Sequence, residues 1–155
     1  MAIAVVRVEP DLWQRYATVR LAALAEAPRA FGSTLAREVA FDEAEWVRRA
    51  RRPATFLAVK GDVDVGIAGV YSEESRWCVA GMWVVPRLRG AGVVDALMAG
   101  CVDAAGAEGA DTLYLSVMAD NHRGRAAYAR LGFGVIGHRD PLPDGRVEVL
   151  MSRTL

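Results

Sequence analysis

The chain has 155 residues, 53% of them hydrophobic and 25% charged, which is the composition of a folded domain and excludes wholesale disorder. A length of this order predicts one domain, residues 1–155, burying roughly 70% of its unfolded surface without a metal or disulfide staple. Nineteen basic side chains balance nineteen acidic ones, so no broad basic face for nucleic-acid phosphates is expected.

Residues 3–8 are rich in Ile and Val and predict a strand stopped by Glu9-Pro10. Asp11 is a candidate N-cap for a helix carrying Leu12, Tyr16, Val19 and Ala23 on one face and ending no later than Pro28. Residues 29–41 have no clear period and are expected to be mainly loop. Asp42 then caps a short charged helix that ends near Arg51. Thr55–Val59, Val63–Tyr71 and Arg76–Val85 read as three strands joined by short turns, an antiparallel meander. From Val93 to Ala105 the apolar period becomes 3.6 residues, predicting a helix that Gly106 and Gly109 end. Thr112–Val117 is a strand, Asn121–Leu131 a short helix stopped at Gly132, and 135–138 and 146–151 are two last strands around Pro143-Asp144-Gly145. The order is that of a mixed α/β domain.

Gly132-Phe133-Gly134-Val135-Ile136-Gly137 matches GxGxxG, but a helix precedes it and a strand follows. A dinucleotide fingerprint requires the opposite context, so the match is a decoy. More informative is Val84 to Leu97: a strand ends at Pro86, a loop holds Arg87, Arg89, Gly90 and Gly92, and an amphipathic helix begins. Free amides at a helix start, with glycines permitting close approach, suit a phosphate, and arginines add charge. A solvated glycine turn is the bland alternative. A P-loop's lysine and hydroxyl are missing, so nucleotide hydrolysis is not indicated.

Val84-x-Pro86-x-x-Arg89-Gly90-x-Gly92, followed by Asn121 through Tyr128 to Gly132-Phe133, resembles the GCN5-related N-acetyltransferases (GNAT) in motif, order and spacing. The resemblance covers residues 80–137 directly. It implies a single-domain fold with a mixed, mostly antiparallel sheet of about seven strands, one splayed at the cofactor site, and about four helices. It implies acetyl-CoA as acetyl donor, its pyrophosphate held by backbone amides of Arg89, Gly90, Ala91, Gly92, Val93 and Val94. Its pantetheine arm would pair with Met82, Trp83 and Val84, where one amide could also polarise the thioester carbonyl. Asn121 would contact the pantetheine and Tyr128 would stand near the sulfur. The family usually has Gly or Ala where this chain has Val94, whose bulk is expected to weaken pyrophosphate binding at most.

Asn121 and Tyr128 lie two helical turns apart and so share a face. A departing thiolate is best protonated as it leaves, and a phenol with a reference pKa near 10 can act as that acid. By their residue types alone, Asn121 is equally a helix cap and Tyr128 a packing residue. No general base is visible: Ser116 occupies a position where some relatives carry Glu, and Glu38, Glu73 and Glu74 read as surface charges. The acceptor side should be shaped by the first two helices and their loop, with Phe31, Ser33, Tyr71 and Trp83 as candidate substrate-binding residues.

His122 and His138 have no carboxylate at metal-ligand spacing, and Cys78 and Cys101 read as small hydrophobes, so no metal is expected. Met1–Arg7 lacks a basic lead, and no run nears the roughly 20 apolar residues of a membrane span. The expectation is a cytoplasmic N-acetyltransferase acting on a small-molecule or peptide primary amine by direct attack in a ternary complex, with no nucleic-acid or membrane partner. A homodimer is common in the family but is not legible in this chain. The rival reading is a non-catalytic coenzyme A sensor of the same fold.

Overall fold

A computed structural model describes residues 2–155. Seven strands form one sheet: β1 (Ile3–Arg7), β2 (Ala54–Lys60), β3 (Val63–Glu73), β4 (Arg76–Val84), β5 (Thr112–Met118), β6 (Gly134–His138) and β7 (Glu148–Thr154). Their spatial order is β1-β2-β3-β4-β5-β7-β6, antiparallel throughout except for the β4–β5 pair. Five α-helices surround it: α1 (Trp13–Glu26), α2 (Leu35–Val39), α3 (Glu43–Ala50), α4 (Val93–Ala107) and α5 (His122–Arg130). No helix among the described residues is long and apolar enough to cross a membrane.

The sheet is apolar on both faces. On one, Leu97, Met98, Cys101 and Ala105 of α4 pack on Val65, Leu113, Leu115 and Met151. On the other, Tyr16, Ala23 and Leu24 of α1 and Trp46 of α3 pack on Leu57 and Ile67. The helical period read from residues 93–105 is thus a buried stripe, as amphipathicity requires.

Three local expectations are corrected. Residues 29–41 are not mainly loop: Thr34 accepts a hydrogen bond from the Arg37 N–H at 3.1 Å and opens α2. Asp11 is not the cap of α1. It lies in a 3-10 turn, Pro10–Leu12, and α1 begins at Trp13 with no side-chain cap. The last strand starts at Glu148, not at residue 146. Arg146 instead donates to the carbonyls of Arg29 (2.8 Å) and Phe31 (3.0 Å), which holds the β6–β7 connection against the segment after α1.

The feature that positions the site is where β4 and β5 part. They pair in parallel only from Trp77–Val79 to Leu113–Leu115. Beyond that, β4 still follows β3, but its register slips opposite Ile67–Gly69, where Gly81 adopts φ +65°. This is a β-bulge, which bends the strand that carries it. β5 keeps its partner β7 through Met118–Glu148. The result is a cleft floored by backbone from residues 80–84 on one side and 116–119 on the other.

Candidate active site

Two cavities meet at this cleft. The larger, about 870 Å³, runs from Gly90 and Gly92 past Met82, Trp83 and Val84 to Asn121 and Tyr128. The second, about 610 Å³, lies beyond it and is walled by Arg20, Tyr71, Glu73, Ser116, Arg139 and Glu148. Ala30, Phe31 and Met118 line both, so the cavities adjoin there.

The large cavity starts at the N-terminus of α4. Gly90 and Gly92 have φ of +84° and +89°, a backbone conformation that side-chain-bearing residues rarely adopt. Within this turn the Arg89 N–H donates to the Pro86 carbonyl and the Ala91 N–H to the Leu88 carbonyl. The amides of Gly90, Gly92, Val93 and Val94 are left without a backbone acceptor, as expected at a helix start. Uncapped amides at the positive end of a fifteen-residue helix make an anion site. Ala91 therefore spends its amide internally. Val93 turns its side chain into the core at 1% exposure, and Val94 packs against the same core while lining the cavity.

The arginines are distributed differently from the sequence reading. Arg87 is exposed and does not line the cavity. Arg89 donates to both Glu26 oxygens, at 2.8 and 3.2 Å, and to the Val84 carbonyl at 3.2 Å. The Trp83 indole N–H also reaches Glu26, at 3.4 Å. Glu26 thus ties the end of α1 to both β4 and the loop, a role with no local signal in the sequence. A further cation, Arg123, lines the cavity beside Gly90; a Cβ added there would stand 3.7 Å from its guanidinium.

Asn121 is a helix cap that also lines the cavity. Its side-chain oxygen caps α5, accepting from the Gly124 N–H at 2.9 Å, while the residue lines the large cavity. Tyr128 lies on the same face of α5, edge-on to Phe133 at 6.2 Å, and its phenol is pushed above its ordinary value by burial and by nearby Cys101. A phenol so placed stays protonated across the neutral range.

Of the acceptor-side candidates, Phe31 sits at the junction of the cavities, Tyr71 lines the smaller one and Trp83 the larger. Burial, with Cys78 and Glu73 nearby, pushes the Tyr71 phenol up to about 12. Ser33 is not brought to either cavity. It accepts from Arg37 at 3.1 Å. Glu38 is no surface charge: it is fully buried, with both oxygens 2.9 Å from Arg20. Burial alone would raise its pKa, but the bonds from Arg20 and Ser33 and the charges of Arg20 and Arg49 hold it below the ordinary value. His122 and His138 are exposed, and Cys78 and Cys101 are free, buried thiols.

An anion-binding helix start, a parted strand pair and a tyrosine beyond them form a single channel, and comparison with known proteins agrees with it. A family model described as the acetyltransferase (GNAT) family matches residues 4–133. The chain belongs to this family. A GCN5-related N-acetyltransferase from Kribbella flavida shares 22% identity at a TM-score of 0.77, over 99% of this chain and 98% of that one. An N-acetyltransferase, PaiA, from Thermoplasma acidophilum, solved in complex with coenzyme A, shares 12% identity at a TM-score of 0.79 over the whole of both chains. A nourseothricin acetyltransferase is 32% identical, with a TM-score of 0.62, over 65% of this chain; the match spans 64% of its own length. A search of the curated proteins finds no match. This GNAT chain has the sheet and the parted strands that the motif resemblance implied.

Proposed function

We propose that the protein is an N-acetyltransferase that carries acetyl from acetyl-CoA to a primary amine by direct attack in a ternary complex. The observation that carries this reading is the continuity of the large cavity, from the unpaired amides of Gly90, Gly92 and Val94, along residues 82–84, to Tyr128. The residues present fit the donor. Amides at a helix start suit a pyrophosphate, and the free edge of β4 beyond Val79 suits an amide-containing arm. The Asn121 carboxamide keeps its N–H donors free for that arm, because only its oxygen is used in capping.

When bound, acetyl-CoA supplies an activated acyl group and a thiol leaving group. Residues 80–84 and 116–119 orient the acyl end at the cleft, and the Tyr128 hydroxyl supplies the proton that the sulfur takes as the C–S bond breaks. The acceptor enters by the smaller cavity, so the two substrates meet at Phe31 and Met118. The likeness to a nourseothricin acetyltransferase supports a small-molecule acceptor.

Calorimetry with acetyl-CoA, followed by thiol release with a panel of primary amines, tests the reading. One-site binding and amine-dependent thiol release are expected. Tyr128→Phe should lower kcat about 100-fold while leaving acetyl-CoA affinity nearly unchanged. Binding without thiol release from any amine would instead assign a coenzyme A sensor.

A further inference from the structure

Deprotonation of the acceptor is the step for which the sequence offers no residue, and the charges around the two cavities single one out. Five carboxylates line them: Glu26, Asp95 and Asp120 in the larger, Glu73 and Glu148 in the smaller. Four of them have an arginine within 4 Å. Glu26 pairs with Arg89 at 2.8 Å, Asp95 with Arg130 at 3.0 Å, Asp120 with Arg29 at 3.7 Å and Glu73 with Arg139 at 3.8 Å. Arg20, the other cation of the smaller cavity, is held by buried Glu38. Among the described residues, Glu148 has no ion-pair partner.

Its direction follows from the register. Leu113, Leu115 and Val117 of β5 and Val149 and Met151 of β7 belong to the core under α4. The alternating residues Ser116 and Met118, with Leu150 and Glu148 across from them, therefore face the opposite side, toward the acceptor cavity. Glu148 stands directly across from Met118, which lines both cavities, and is itself half-buried.

Resting on the acetyltransfer reading, we infer that Glu148 is the carboxylate that receives the acceptor's ammonium group and takes its proton, and that the acceptor is a cationic amine. The ammonium nitrogen gives one proton to Glu148, which passes it to solvent. The freed lone pair forms the C–N bond to the acyl carbon, and the C–S bond breaks as the sulfur takes the Tyr128 proton. The second proton lost by the nitrogen restores the phenol through water, leaving an amide and a free thiol. Among the described residues Glu148 is the carboxylate of this cavity that no arginine approaches within 4 Å, while Arg20 is held by Glu38 and Glu73 lies 3.8 Å from Arg139. Tyr71, the remaining titratable group of that wall, is a neutral phenol at physiological pH.

The test compares wild type with Glu148→Gln, using 1,4-diaminobutane, tyramine and lysinamide as acceptors, over pH 6 to about 10 (the range up to the pKa of a free amine). The variant should keep the wild-type thermal shift with acetyl-CoA, which reports an intact fold and donor site. Its kcat/KM at pH 7 should fall about 100-fold or more, and the defect should shrink as pH rises, because an amine already deprotonated needs no base. Glu148→Asp should recover part of the rate. Equal rates and pH profiles for wild type and Glu148→Gln would overturn the role of Glu148 while leaving the acetyltransfer reading intact. Failure of the wild type to release thiol with every amine would overturn both.

Discussion

Asn121 caps α5 with its side-chain oxygen alone, and its N–H donors stay free in a residue that lines the large cavity. Glu38 shows the reverse case, a carboxylate wholly consumed by structure. It is fully buried and held by two bonds from Arg20, with Arg49 nearby. Removing one member of a buried pair leaves the other charged and unpaired, so Glu38→Ala should cost about 3 kcal/mol of unfolding free energy, read by urea titration. Because the folded pKa of Glu38 is depressed, its contribution is complete above the ordinary carboxylate value of 4.5 and is lost as pH falls through the folded one. Wild type should therefore lose more stability than Glu38→Gln between pH 5 and about 3. Parallel losses would show that the pair is energetically idle.

Among the elements, β3 and α4 pack tightly at Gly66. Gly66 of β3 leaves no room for a methyl group: an added Cβ would stand 2.9 Å from the Trp83 carbonyl, 3.1 Å from Leu97 and 3.3 Å from Val93. The first of these is backbone of β4 at the parted edge and cannot swing aside as a flexible side chain would. Gly66→Ala should destabilise the fold by about 2 kcal/mol, lowering Tm by about 4–8 °C. It should also weaken acetyl-CoA binding, because relief of the clash moves either β4 or the start of α4. An unchanged Tm would mean that the sheet yields there. The elements themselves were legible where period and punctuation agreed. The 3.6-residue stripe of residues 93–105 became α4, and Asp42 caps α3 as its position predicts. α2 was missed because five residues are too few to display a period, and its Thr34 cap lies within a Gly-Ser-Thr run that also reads as a turn.

For the whole molecule, the large cavity is assembled from parts that meet only in three dimensions: the end of α1, the parted β4 and β5, the start of α4 and one face of α5. The Glu26–Arg89 and Glu26–Trp83 contacts hold α1 to the other side of the cavity. A ligand touching all of these stabilises the folded state alone. Acetyl-CoA at 100 times its Kd should add about 2.7 kcal/mol, raising Tm by about 5–10 °C. Absence of any shift would argue that the cavity does not take the donor.

By itself, the sequence determined what is local and contiguous: the strand–loop–helix with glycines at positions 90 and 92, the seven-residue spacing of Asn121 and Tyr128, and the decoy status of Gly132–Gly137, which follows a helix and enters β6. Hydrophobic period and backbone chemistry act over a few residues, so they can be read along the chain. Only the tertiary structure decided which charges remain uncompensated. Glu38 lies in a stretch that reads as loop and is buried against Arg20, eighteen positions away. Glu26 finds Arg89 sixty-three positions later. Glu148 looks like any polar position in an alternating strand until the β5–β7 register sets it opposite Met118 and the arginines take the other carboxylates. Pairing across a sheet and between cavity walls depends on distances in space, and a linear pattern does not encode them.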